Sequence, residues 1–118
     1  MRRVPIILAA GLLAALGLVA TGQASTRTLK GEVGPGFTIE VTKAGKDVKT
    51  LRHGTYRIVV EDKASIHNFH LLGPGLSKKT TVPFVGTKTW TVKLKSGKYT
   101  YQCDIHAASG MKGSFRVT

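Results

Sequence analysis

The chain has 118 residues, with 18 Lys or Arg against 6 Asp or Glu, a formal net charge of +12 at pH 7, one Cys and two Met. A length of this order accommodates one domain and excludes a multidomain catalyst. Hydrophobic residues make up 42% and charged residues 20%, the usage of an ordinary globular domain, which excludes wholesale disorder and a bundle of membrane spans.

At the N-terminus, Arg2 and Arg3 precede an unbroken apolar run from Val4 to Ala20, followed by small residues including Gly22 and Ala24. This is the layout of an export signal, with the cut expected after Ala24. The competing reading is an uncleaved anchor helix, but at about 1.5 Å per residue the run reaches roughly 25 Å, less than a hydrocarbon core of about 30 Å. The expected organisation is therefore a signal over 1–24 and one domain over 25–118. The destination would be the periplasm, the cell surface or the extracellular space. Outside the cytoplasm the basic excess does not call for nucleic acid; an acidic protein or an anionic membrane or envelope surface fits better.

From residue 25 onward, short apolar and polar alternations are separated by turn-forming residues. Phe37, Ile39 and Val41 share one parity, as do Tyr56, Ile58 and Val60, then His67, Phe69 and Leu71. Trp90, Val92 and Leu94 follow, then Tyr99, Tyr101 and Cys103, and last Phe115 and Val117. A period of two with β-branched and aromatic enrichment predicts half-buried strands. Gly34, Pro35 and Gly36, the pair His53 and Gly54, Gly73, Pro74 and Gly75, and Lys95 to Lys98 punctuate them. No sustained helical period follows Ser25. The fold class expected is an all-β, antiparallel Greek-key sandwich of six to eight short strands. Lys43, Lys46, Lys49, Lys78, Lys79 and Lys93 fall on the polar side of this pattern or in loops; they read as a solvated surface, with steering of a partner as the alternative.

The sulfur of this domain lies in the span from Cys103 to Met111. A lone cysteine makes no internal disulfide, and the parity of Cys103 points it inward, against intermolecular pairing. His106 stands three residues on, and Met111 five beyond that. Thiolate, imidazole and thioether grouped on one loop form a mixed soft and borderline donor set that suits copper in both oxidation states. A further imidazole is then required from elsewhere. His67 shares its parity with Phe69 and Leu71 and points inward. His70, on the parity of Ile66 and Asn68, is expected to look outward, and His53, in a turn, is expected to be exposed.

The pattern Cys103-x-x-His106-x-x-x-x-Met111, with His67 and Asn68 upstream, resembles the type 1 copper site of the cupredoxins. The Cys-to-His spacing is similar to that of plastocyanin and pseudoazurin, whereas azurin has a longer interval. The resemblance implies one copper per chain held by His67, Cys103, His106 and Met111, with Asn68 tying the two ligand-bearing segments together. Gly97, Tyr99 and Tyr101 match the approach to the Cys in such proteins. Ile105 departs from the proline usual in plastocyanins at that place. Asp104 sets a carboxylate beside the thiolate, which, unless solvated, would stabilise Cu(II) and lower the potential. The implied function is one-electron transfer between redox partners by a monomer, with His106, Ala107 and Ala108 at the solvent edge and an acidic redox protein as partner. The alternatives are a copper-delivery module without redox cycling and a metal-free sandwich used in assembly. An enzyme is not expected, since oxygen or nitrite reduction needs further copper centres and only four histidines are present, and no nucleophile-elbow pattern occurs.

Overall fold

The computed structural model describes residues 27–118 and the isolated Gly11, so the expected export segment and its cut lie outside the described residues. Ten strands form: β1 (Arg27–Val33), β2 (Ile39–Lys43), β3 (Lys46–Asp47), β4 (Thr50–Leu51), β5 (Gly54–Asp62), β6 (His70–Gly73), β7 (Leu76–Lys79), β8 (Gly86–Leu94), β9 (Gly97–Gln102) and β10 (Lys112–Val117). They make two five-stranded sheets, ordered β3-β2-β1-β5-β8 and β4-β10-β9-β6-β7. The expected β-sandwich is what these residues build.

Its details go beyond the alternation pattern. The two-residue strands β3 and β4 are too short to show a period, which is why the strand number exceeds the six to eight expected. Each sheet also contains one parallel pair, β1 with β5 and β4 with β10, where a wholly antiparallel arrangement was expected. Parallel neighbours need a long crossover, and here the chain leaves the first sheet for β4 before returning to lay β5 beside β1. Alternation within a strand carries no trace of that detour.

Parity is obeyed inside the strands. Tyr56, Ile58 and Val60, Val92 and Leu94, and Phe115 and Val117 are all buried between the sheets. Tyr99 stacks on Phe115 with ring centroids 5.4 Å apart, and Phe69 on Tyr101 at 6.2 Å. Phe37 is the exception: expected in line with Ile39, it is 67% exposed. β2 begins only at Ile39, so strand parity does not extend back to it.

The aromatic layer requires bare backbone opposite it. A Cβ on Gly73 would overlap the Tyr99 ring, and one on Gly113 the Tyr101 ring. Gly73→Ala is therefore expected to cost about 1–3 kcal/mol by overpacking, lowering the thermal midpoint by several degrees. Gly36→Ala, at a position with open space and no positive φ, is expected to shift it little.

Candidate metal centre

The site grows out of the pairing of β6 with β9. These strands run antiparallel with His70 opposite Gln102. Carrying that register two residues further brings Asn68 opposite Asp104, and there the ladder is continued by a side chain. Asn68 Oδ1 accepts the Asp104 backbone N–H at 2.8 Å, while its Nδ2 donates to Asp104 Oδ2 at 2.9 Å and to the Thr80 carbonyl at 3.3 Å. Asn68, expected on the outward parity, is 3% exposed, because Thr80 and Asp104 cover it.

The β9–β10 connection is a closed loop. Cys103 N–H donates to the Met111 carbonyl at 3.1 Å, His106 N–H to the Cys103 carbonyl at 3.1 Å, and Met111 N–H to the His106 carbonyl at 3.2 Å. A single 3₁₀ turn, Ala107–Ser109, starts at His106 and stops at Gly110, whose left-handed backbone (φ 95°) turns the chain back towards Met111. A glycine suits that conformation at least steric cost.

These elements bring together three of the four residues expected to hold a metal, and Met111 closes the same loop. His67, Cys103 and His106 form one cluster of potential ligand atoms within 4.8 Å of one another. Cys103 Sγ lies 3.5 Å from His106 Nδ1 and 3.8 Å from His67 Nδ1, and the two Nδ1 atoms are 3.0 Å apart. Cys103 and His67 are fully buried, and Met111 is 3% exposed at the end of the same loop. His53 is exposed and contacts the Thr118 carbonyl. His70 stays outside the cluster, held at 2.8 Å by Asp104 Oδ1 on one nitrogen and by Ser77 Oγ on the other.

Donor chemistry tests what the cluster fits. Two imidazole nitrogens 3.0 Å apart share at most one proton, so their lone pairs converge on one point beside a buried thiol. A cation in place of that proton uses all three at once. Two nitrogens and a thiol, with the thioether of Met111 buried on the same loop, match a soft to borderline transition metal and not calcium or magnesium, which take oxygen.

Asp104 is the charged group closest in sequence to the thiol. Burial acts to raise its pKa, but hydrogen bonds from Gln102, Asn68 and His70 prevail and hold the carboxyl at about 2. Asp62, at the end of β5, behaves oppositely: burial pushes its carboxyl up, against the Ala64 N–H and the nearby His67. Asp62 Oδ2 and His67 Nε2 are buried atoms without a hydrogen-bond partner.

Phe37 was not anticipated as part of the site. Its ring stands edge-on to both imidazoles, with centroids 5.1 Å from His67 and 5.0 Å from His106. Ile66 and Ile105, the residues just before His67 and His106, are each more than half exposed, so with Phe37 they add apolar surface next to the ligand positions beyond the expected Ala107 and Ala108. The available signal was its position immediately after the turn of Gly34, Pro35 and Gly36.

No protein-family model and no curated protein sequence matches the chain. Solved structures do. One of the copper protein rusticyanin is 24% identical with a TM-score of 0.61, covering 79% of this chain and 78% of that one. Rusticyanin from Thiobacillus ferrooxidans is 26% identical at 0.54, covering 79% and 77%. Dithionite-reduced auracyanin from the photosynthetic bacterium Roseiflexus castenholzii is 20% identical at 0.56, covering 79% and 98%. The chain has the cupredoxin fold. Within that fold the cluster lies at the end of the sandwich where β9 passes into β10.

Two outcomes follow from the Asn68 and Asp104 network. Asn68→Ala is expected to weaken metal affinity about 10- to 100-fold, measured by competition with a chelator. For the metal-free protein, the depressed Asp104 carboxyl contributes stability that is complete above its ordinary value near 3.9 and is lost as pH falls towards about 2. Urea midpoints should therefore drop more steeply over that acid window in the parent than in Asp104→Asn.

Proposed function

We propose that this protein is an exported one-electron carrier that binds one copper ion through the imidazole Nδ1 atoms of His67 and His106, the thiolate of Cys103 and the thioether of Met111. The observation that carries the reading is the convergence of both Nδ1 atoms and Sγ within 3.0–3.8 Å at a buried end of the sandwich. Copper in such a mixed set supplies a one-electron couple, because imidazole favours the oxidised ion and the sulfurs favour the reduced one.

The chain's own residues supply the remaining requirements. Asn68 fixes the loop carrying Cys103 against the segment carrying His67, so the ligands are held before metal arrives. The sheets exclude water from the thiol, and His106 forms the route to solvent. Its apolar surround admits close approach of a partner, for which an acidic redox protein suits the chain's +12. Export is supported by the N-terminal pattern of two arginines, an apolar run and small residues. Redox use is supported by neighbours of this fold solved in reduced form, rusticyanin and auracyanin. A carrier is favoured over an enzyme because among the described residues the single convergent His and Cys cluster is consumed by metal ligation.

Delivery of copper without redox cycling is the second reading; the burial of Cys103, His67 and Met111 disfavours ready hand-over. Cu(II) added to the protein is expected to give an intense thiolate-to-copper absorption that Cys103→Ser abolishes, and a reversible voltammetric wave. Met111→Leu should keep the metal and shift the potential. His67→Ala should damage the spectrum far more than His70→Ala. Colourless, weakly held copper would refute metal ligation as proposed, and colour without a reversible wave would favour delivery.

A further inference from the structure

Charge is divided between the two sheets. Glu32, Glu40, Asp47, Glu61 and Asp62 all belong to the first sheet, and there Lys30 pairs with Glu32 and Glu61, and Lys63 with Glu32. The sixth carboxylate, Asp104, is held by Asn68, Gln102 and His70. The strands of the second sheet carry no acid.

On that sheet the register aligns the cations on one face. Lys98 lies opposite Arg116, which in turn lies opposite Thr50; Thr100 is opposite Ser114, and Gln102 opposite Lys112. The intervening Tyr99, Phe115 and Val117 are buried, so the basic side chains project outward. Lys49 lines a shallow depression with Lys98 and Arg116, and Lys98 and Lys112 line a second around Ser114. Among the described residues Lys49, Lys98, Lys112 and Arg116 make no ion pair.

The shape of this face selects its partner. It is the open surface of a sheet, with Thr and Ser between the cations and Leu72 half-buried. The exposed large apolar residues, Phe37, Ile66, Val85 and Ile105, all lie elsewhere. Protein interfaces draw their affinity from buried aromatic and apolar anchors, which this face lacks. A layer of anionic headgroups needs only cations presented on a plane.

We propose that the outer face of the second sheet docks on an anionic lipid bilayer, binding headgroup phosphates through Lys49, Lys98, Lys112 and Arg116. Along β9, from Lys98 to Cys103, the chain covers about 17 Å at roughly 3.3 Å per residue. The cluster of His67, Cys103 and His106 thus lies at the rim of the docked face, and His106 stays open to a partner. This reading is independent of which metal, if any, the cluster holds.

The test uses the full chain on phosphatidylcholine vesicles with and without phosphatidylglycerol. The apolar N-terminal run acts on both kinds alike, and Arg2 and Arg3 contribute equally in every variant, so the difference between variants reports the face. The protein is expected to prefer the anionic vesicles, with binding weakened by salt. Each cation near the surface contributes about fivefold, so Lys49→Gln/Lys98→Gln/Arg116→Gln should lose roughly a hundredfold. The charge-matched Lys43→Gln/Arg57→Gln/Lys88→Gln on the first sheet should lose much less. In the parent, vesicles should protect Lys98 and Lys112 from acetylation and leave Lys30 and Lys88 reactive, a readout that holds even if the triple variant fails to fold. Equal losses in both triples would reduce the effect to net charge and overturn the proposal. So would displacement by inorganic phosphate at matched ionic strength, protection of the first sheet instead, or protection of Lys98 and Lys112 by an acidic protein without any preference for anionic vesicles.

Discussion

The amide of Asn68 holds together the two segments on which the site is built. Its three hydrogen bonds reach the backbone and carboxylate of Asp104 and the carbonyl of Thr80, joining parts of the chain 36 and 12 residues away. Without it, the Asp104 backbone N–H, next to the thiol in the chain, would lose its side-chain acceptor. More consequentially, the β9–β10 loop would be tied to the β6 segment only through the contacts of His70 with Asp104 and of His67 with His106 and Cys103. The register of β6 and β9 puts Asn68 where it can act, and the position of Cys103 one residue before Asp104 follows from the same register. Sheet pairing, amide bridge and ligand placement are one geometrical fact at three scales.

How much of this was legible in the chain depends on the range of the interaction. Period-two alternation located the buried positions of β5, β8, β9 and β10, because burial within a strand is a local consequence of pleating. Spacing alone singled out Cys103, His106 and Met111, since they share one loop, and the inward parity of His67 added the fourth. Alternation failed at strand margins. Phe37 precedes β2 and turns out to flank both imidazoles. Asn68 precedes β6 and is buried by Thr80 and Asp104, which no local rule brings near it. The parallel pairs and the gathering of Lys49, Lys98, Lys112 and Arg116 arise from pairing between distant strands, which composition and periodicity do not encode.

The fold also separates two kinds of contact. Exposed apolar side chains stand next to the ligands, Phe37 against both imidazoles and Ile105 just before His106, whereas basic charge without any accompanying acid lies on the strands of the second sheet. Under the two proposals, short-range contact at the end would set how closely a partner approaches, and longer-range electrostatics on the side would set where the molecule docks. Because a sandwich has ends and faces at right angles, the two tasks need not compete for the same residues.

Full burial of Cys103 determines when the protein is chemically vulnerable. Thiol oxidation and disulfide exchange require access to the sulfur as thiolate, and in the folded domain the sheets deny it. With one cysteine in the whole sequence, no internal disulfide can shelter the thiol or misdirect the chain. Exposure is therefore confined to the interval before β9 closes against its neighbours. A chain oxidised or cross-linked in that interval would carry a larger group into a space packed for a bare sulfur, so damage to the ligand and failure to fold would coincide.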